Sequence, residues 1–438
     1  MVRVRPRQLP PRAIPVPPAV PPAEAEPESA GGTAADPGRE PFGQPVDEPD
    51  GDPVIVVGGG FGGLTTALQL AGDTLPVLLI EPQERFLFLP LLYELLSGEL
   101  RRWEIAPRYG DLLAGRGVAW LRERVVAIDH GQRSLRTDGG RLLRFSSLVI
   151  ATGGRAQSYG IPGVTEHALG FRSLADVERL QALVRRLRLR LHPLQRLVVV
   201  GAGASGVELA CKLADLLEGA AVIELIEQGP ELLPGSRSFN REQAHLALQQ
   251  RDVRLRTHTR VAAVRSDGLD LQRGAADAGT GAPPERLSCD GVIWTGGVAA
   301  CVPALDPPLP LDRRGRLPCD GELRVIGTDG VFALGDAAAC PLPGGDSHPA
   351  TAQVAYQQAV CVAANLRRRR RGEALEPFRW NDLGEMLGLG IGQATLTGMG
   401  LTLAGPAAFQ LRRLAYLARL PGLPHQLRVA GGWLANGL

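Results

Sequence analysis

A glycine-rich pattern occurs twice in this 438-residue chain, as Gly58-Gly59-Gly60-Phe61-Gly62-Gly63 and as Gly201-Ala202-Gly203-Ala204-Ser205-Gly206. Each follows a short apolar run, Val54-Ile55-Val56-Val57 or Leu197-Val198-Val199-Val200, and each opens a helical pattern. Residues of this type and spacing suit the binding of a dinucleotide pyrophosphate. Gly58 and Gly201 permit a tight turn, Gly60 and Gly203 let backbone approach the phosphates, and Gly63 and Gly206 let helix pack closely on strand. The free N–H groups of the helix start face the anion. A second apolar strand then ends in a carboxylate, Glu81 in the first unit and Glu227 in the second, roughly 20 residues on and placed to accept from a ribose hydroxyl. One such pattern alone is weak; two in one chain describe an enzyme that holds two dinucleotides at once.

The elements that position these residues follow from the apolar runs. The first unit reads as a strand over 53–57, a helix from 61 to about 71 and a strand over 77–81. The second repeats it, with a strand over 197–200, a helix to about 218 and a strand over 222–227. Further along, Gly330-Val331-Phe332-Ala333-Leu334-Gly335-Asp336-Ala337-Ala338 predicts a strand closing on a Gly-Asp pair. Here the chain resembles the two-dinucleotide-binding flavoproteins reduced by a nicotinamide, in which such an aspartate binds the ribityl chain of FAD. Leu148–Gly154 and Val292–Gly297 resemble the linkers that bracket the inserted nicotinamide domain of that superfamily. The resemblance implies an α/β protein with two Rossmann-like dinucleotide-binding domains in a glutathione-reductase-like arrangement. FAD then lies on the first fingerprint with Asp336, and NAD(P)H on the second. The expected domains are 53–160 with 325–378 for FAD, 161–324 for NAD(P)H, and 379–438 as a C-terminal membrane-association region.

Composition agrees with this plan and excludes others. The formal charge of +2, from 48 basic and 46 acidic groups, gives no strong field for nucleic acid. Residues 1 to about 52, rich in Pro, Ala, Glu and Gly, cannot bury enough apolar surface to offset their ordering entropy and read as a disordered tail. A further loop is expected between strands over 274–285. The six cysteines, Cys211, Cys289, Cys301, Cys319, Cys340 and Cys361, contain no close pair, which removes reductases that pass electrons to a disulfide and leaves no metal-ligand spacing. Cys340, close after Asp336, reads as a packed thiol.

Without a redox disulfide another electron acceptor is required. Arg85-Phe86-Leu87-Phe88-Leu89-Pro90-Leu91-Leu92-Tyr93-Glu94 resembles the stretch after the ribose carboxylate in type II NAD(P)H:quinone oxidoreductases. Ala352-Gln353-Val354-Ala355-Tyr356-Gln357 matches the Ala-Gln-x-Ala-x-Gln pattern at the quinone end of the flavin in that family. The resemblance covers about residues 53–436 and is nearest the cyanobacterial and plastid demethylphylloquinone reductase branch. It implies electron transfer from NAD(P)H to a membrane quinone, without proton pumping. Gln353 and Gln357, four apart on one helix face, are then placed at the acceptor. Glu208, just after the second fingerprint, stands where family members keep a glutamate near the contact between nicotinamide and flavin. A helix beginning near Thr351 points its dipole at the negative charge that develops on the reduced ring. The alternatives are a sulfide:quinone reductase, which needs cysteines flanking the flavin, and a flavin-binding scaffold without turnover.

A lipid-soluble acceptor implies contact with a bilayer. Residues 387–403 read as a glycine-rich hairpin. After Pro406 a helix sets Leu411, Leu414 and Ala418 on one face and Arg412, Arg413, Tyr416 and Arg419 on the other, an interfacial pattern. The expected state is a peripheral protein on the cytoplasmic face of a thylakoid or plasma membrane, with an anionic lipid surface as partner. The arginine run 367–371 reads first as a solvated helix end and second as a lipid contact. The sequence fixes neither the quinone nor NADH against NADPH, and leaves a homodimer open.

Overall fold

Val54–Val57, four β-branched residues in a row, is fully buried between two parallel neighbours, Val77–Ile80 and Ser147–Ile150. An unbroken apolar strand of this kind belongs in the middle of a parallel sheet covered on both faces. Each such side chain contributes roughly 1.5–3 kcal/mol by burial. With Val118–Leu121 at one edge and Val331–Ala333 at the other, the strands form a five-stranded parallel sheet. The structure is a computed structural model that describes residues 52–190, 195–274, 284–342 and 348–435. The expected N-terminal tail and most of the loop expected over 274–285 lie outside the described residues.

A second parallel sheet repeats the plan, in the order Arg254–Arg256, Val222–Ile226, Arg196–Val200, Gly291–Trp294 and Ala168–Leu169. Its one buried carboxylate on an inner strand, Glu224, is paired on both sides by Arg196 at 2.8 Å and Arg256 at 2.7 Å. The helix after the first fingerprint spans Phe61–Leu70 and the one after the second Ala204–Leu217. The segments that cross between the sheets run side by side, Gly154–Ala156 antiparallel to Val298–Ala300. By Ala304–Asp306 the chain is back on the first unit, paired with Val125–Asp129.

Past the Gly-Asp turn, helix Ala352–Arg370 starts at Thr351, whose hydroxyl accepts from Val354 N at 3.3 Å, and packs along Phe61–Leu70. The C-terminal region is a three-stranded antiparallel meander, Glu385–Gly388, Ala394–Gly398 and Leu401–Gly405, followed by helices Pro406–Leu417 and Leu423–Ala435. Helix Pro406–Leu417 turns its arginine face inward: Arg412 is 1% exposed, whereas Leu414 is 56% exposed. Among the described residues no helix is long and apolar enough to cross a membrane.

Candidate functional site

The first fingerprint shows why each glycine stands where it does. Gly58 has φ +95°, and a Cβ there would lie 2.6 Å from Ala151 O. A Cβ on Gly63 would strike Gly58 O at 1.8 Å. A Cβ on Gly60 meets nothing within 4 Å, so the backbone borders open space at the start of the helix, where a phosphate can approach. Glu81 closes the turn: Oε2 accepts from Gly59 N at 2.7 Å and Oε1 from Gln83 N at 2.8 Å. Tyr109, which the sequence reading passed over, donates from its hydroxyl to Gly59 O at 2.8 Å.

The second fingerprint is built the same way. Gly201 has φ +101°, a Cβ on Gly206 would meet Gly201 O at 1.8 Å, and Gly203 again faces open space. Glu227 Oε2 accepts from Ala202 N at 2.8 Å and Oε1 from Gly229 N at 2.7 Å. Gly201 and Glu227 border a cavity of about 470 Å³ beyond the strand ends, walled by Tyr159, Thr259 and Trp294. Arg237, at the start of the helix Ser238–Gln249, is paired with Asp382 at 2.9 Å.

A second cavity of about 470 Å³ lies where the two units meet, and Gly60, Asp336 and Glu208 all line it. Two of its polar groups lack a companion from the chain's own backbone. Among the described residues Thr152 Oγ1, in the first linker, is buried without a hydrogen-bond partner. Asp336, on the turn Gly335–Ala337, has its carboxyl raised by burial and drawn partly back by Arg172, 4.0 Å away, and Arg316. Open space at Gly60 and Gly203, an orphaned hydroxyl and a half-buried carboxylate together fit groups that bring phosphates and hydroxyls of their own.

Glu208 is held from several sides. Gly388 N donates to its Oε1 at 2.6 Å, and Arg412 Nη2 lies 3.5 Å from the same oxygen. Burial pushes its carboxyl up to about 7, against the opposing pull of Arg412 and of Gly388 N. Arg412 is in turn ion-paired with buried Glu94, donates to Pro90 O at 2.9 Å and sits 4.8 Å over the Tyr416 ring. Burial works against its charge, but Glu94, Tyr416 and Glu208 outweigh it and hold the guanidinium ionised. Tyr93 faces Glu208 and Ser205, with its hydroxyl raised well above the ordinary value by burial and by the Glu208 charge. Glu94, Arg412, Tyr93 and Tyr416 were not singled out from sequence as site residues.

Gln353 and Gln357 fall on one face of helix Ala352–Arg370 and both bind the segment that follows it. Gln353 Oε1 accepts from Trp380 Nε1 and Leu383 N, each at 3.3 Å. Gln357 exchanges two bonds with the Asn381 backbone, at 2.9 and 3.0 Å. The fully buried glutamine is the neighbouring Gln358, which accepts from Gly335 N at 2.8 Å and so steadies the Asp336 turn. Gln353 and Gln357 line an apolar cavity of about 130 Å³ with Phe88, Leu383 and Tyr416, and this cavity shares Phe61, Pro90 and Ala352 with the one containing Asp336. Cys340 is buried, with its thiol pushed up to about 11 by burial; its Sγ rests against Asp320 O. Among the described residues no cluster of His, Cys, Asp or Glu suits a metal ion.

Comparison with known proteins agrees with this arrangement. The sequence pattern of the pyridine nucleotide-disulphide oxidoreductase family matches residues 52–359. Demethylphylloquinone reductase NdbB of Synechocystis is 40% identical over 395 residues, 88% of this chain and 96% of that one. The alternative NAD(P)H-ubiquinone oxidoreductase C1 of Arabidopsis thaliana is 35% identical, over 87% of this chain and 80% of its own. Among solved structures, NDH2 of Plasmodium falciparum in complex with NADH shares the fold, with a TM-score of 0.75 and 18% identity over 86% of this chain and 96% of that one. The chain belongs to the pyridine nucleotide-disulphide oxidoreductases and, within them, to the type II NAD(P)H:quinone oxidoreductases.

Proposed function

We propose that the chain holds FAD on the first fingerprint and NAD(P)H on the second, and delivers two electrons without proton pumping to a membrane naphthoquinone of the demethylphylloquinone type. The observation that carries this reading is the shared cavity: Gly60 and Asp336 of one unit and Glu208 of the other line a single space, and an apolar chamber opens beside it. Bound FAD supplies two-electron transfer between nicotinamide and quinone, chemistry that side chains lack. The relatives' activities support the same assignment.

The chain's own residues bind, orient and protect. The helix starts at Phe61 and Ala204 offer unpaired N–H groups to two pyrophosphates. Glu81 and Glu227 each spend one lone pair per oxygen on backbone and keep others for ribose hydroxyls. The negative charge of Glu227 disfavours a 2′-phosphate, so NADH serves at least as well as NADPH. Helix Ala352–Arg370 directs its N-terminus at the cavity that holds Asp336, where its dipole favours negative charge. Glu208, with its pKa near 7, holds or releases a proton close to neutral pH, as quinone reduction requires. Phe61, Phe88 and Tyr416 keep the acceptor chamber apolar.

Access to a lipid-soluble acceptor comes from the C-terminal helices. Arg412, Arg413 and Trp433 pack inward while Leu411, Leu414, Leu423, Leu427 and Leu434 stand exposed. Such a surface suits peripheral attachment to a bilayer. Stopped-flow mixing of purified yellow protein with NADH should bleach the flavin absorbance, and a naphthoquinone added next should restore it. Bleaching without restoration by any quinone would leave a scaffold, and bleaching by sulfide would favour the sulfide-oxidising alternative.

A further inference from the structure

The arginine run 367–371 is largely neutralised by the chain itself. Arg367 pairs with Asp73 at 2.7 Å, Arg369 with Asp329 at 2.8 Å, Arg371 with Glu373 at 2.6 Å, and Arg368 with Glu376. Another group of arginines is less fully paired. A cavity of about 320 Å³ lies between segment 103–116 and the start of helix Leu423–Ala435, and Arg85, Arg108, Arg116 and Arg428 all line it. Arg108 is paired with Glu84 at 3.0 Å. Among the described residues Arg85, Arg116 and Arg428 have no carboxylate within ion-pair range: Arg85 donates to Ala106 O at 3.0 Å, and Arg428 lies 5.0 Å over the Trp103 ring. Among the described residues Asp111 is the only acidic one in the wall. His425, also in the wall, spends Nε2 on Glu104 O at 2.9 Å, and burial lowers its pKa.

A concave site lined by three arginines that have no ion-pair partner among the described residues, against a single acidic side chain, suits an anion with several oxygens. The cavity shares no lining residue with the one holding Asp336 and Glu208, so it is separate from the site already described. What stands beside it identifies the source of the anion. Leu423 and Leu427, on the helix whose residues Pro424, His425 and Arg428 form the wall, are 63% and 64% exposed. A charged head fits the cavity while acyl chains lie along the leucines. The geometry points to a specific site for one phosphodiester headgroup of an anionic phospholipid, at the junction of helix Leu423–Ala435 with segment 103–116. This deepens the bilayer reading above and rests on it. The site fixes the rotation of the C-terminal helices against the lipid surface, beyond what a diffuse positive potential achieves.

The test is calorimetric titration of the flavin-loaded protein with monomeric short-chain phosphatidylglycerol. Saturable binding at one per chain is expected, with phosphatidylcholine of equal chain length much weaker. Arg116→Gln and, separately, Arg428→Gln should weaken it by roughly tenfold or more, the loss of one charge-assisted contact. Arg370→Gln, outside the cavity and equal in charge change, should leave it unaltered. Flavin content reports whether each variant folds. Equal affinity for inorganic phosphate would overturn the lipid assignment, and equal effects of all three substitutions would overturn the site in favour of diffuse attraction. Sedimentation with vesicles separates the two layers of the argument. Protein that sediments with neither phosphatidylcholine nor mixed phosphatidylglycerol vesicles overturns the bilayer reading. Protein that sediments equally with both overturns the headgroup site alone.

Discussion

Glu208 and Arg412 meet at 3.5 Å although they come from segments far apart in the chain, one on the helix of the second fingerprint and the other on a C-terminal helix. Their contact ties the helix of the second fingerprint to the C-terminal region. Glu94 completes the group, so that one buried guanidinium serves two carboxylates, of which Glu208 is the farther.

The Glu208 pKa carries a stability signature. Burial raises it from an ordinary 4.5 to about 7 in the folded chain. Between those values the folded protein holds a proton that the unfolded chain has released, so stability falls as pH rises through the window, by on the order of 3 kcal/mol. Glu208→Gln stays neutral throughout. Its unfolding free energy relative to the parent should therefore improve from about pH 4.5 to 7 and level off above. A difference that is flat with pH in denaturant titrations would show that Glu208 titrates normally.

Arg412→Ala should cost about 3–5 kcal/mol, because it leaves Glu94 charged and buried without a partner. Adding Glu94→Gln to Arg412→Ala should recover much of that loss, since it removes the stranded charge while leaving the packing defect at 412 in place. If the single and double variants unfold at the same denaturant concentration, the destabilisation arises from lost packing over Tyr416 and not from the stranded charge.

The glycine positions separate folding from binding. Gly63→Val must displace Gly58 O, which its Cβ would approach to 1.8 Å, and should yield little folded protein. Gly60→Val has open space at Cβ and should fold, yet fill the room a pyrophosphate needs. The ratio of flavin to protein absorbance, read beside a thermal melt, distinguishes them. A folded Gly60→Val protein with full flavin would place FAD away from the first fingerprint.

The two fingerprints, their carboxylates and the Gly-Asp turn were legible because the chemistry they serve is written in local spacing: a tight turn needs glycine at Gly58 whatever surrounds it. Contacts between distant segments were not. Arg412 pairs with Glu94 across 318 residues, and no periodicity announces it. The pattern after Pro406 gave two helix faces correctly, but an amphipathic period does not say which face the protein takes. Here the arginine face lies inward, because Glu94 and Glu208 are already buried there. Tyr109 was overlooked for the same reason: its bond to Gly59 O depends on the fold bringing residues 50 apart together. The arginine run was read first as a helix end, and its carboxylate partners come from three separate segments, at Asp73, at Asp329 and at Glu373 with Glu376.

Glu227→Gln addresses the nicotinamide. Both Glu227 oxygens are held by backbone N–H groups, and an amide can replace only one of them as acceptor. The ratio of kcat/KM for NADH over NADPH should fall, because the substitution removes the charge that repels a 2′-phosphate. An unchanged ratio would mean that this carboxylate does not read the ribose.

Gln353 tests the division between the two half-reactions. It ties Trp380 and Leu383 to helix Ala352–Arg370 and lines the small apolar chamber, while Glu208 and the second fingerprint lie on the other cavity. Gln353→Leu removes the acceptor for Trp380 Nε1 and Leu383 N and so loosens the chamber wall without touching the nucleotide glycines. NADH-driven bleaching of the flavin should stay near the parental rate, whereas reoxidation by a naphthoquinone should slow by roughly tenfold or more, the scale of a lost orienting contact. Short soluble quinones and long-chain ones should suffer alike, since the defect lies in the chamber. Truncation before Pro406 should instead penalise the long-chain substrates, because it removes the exposed leucines, though it also strands Glu94. For that reason the cleaner comparison is Leu414→Gln with Leu427→Gln, two exposed positions whose change leaves the Arg412 network intact. A Gln353→Leu enzyme whose reduction by NADH falls as steeply as its reoxidation would place Gln353 on the nicotinamide side and sink the scheme.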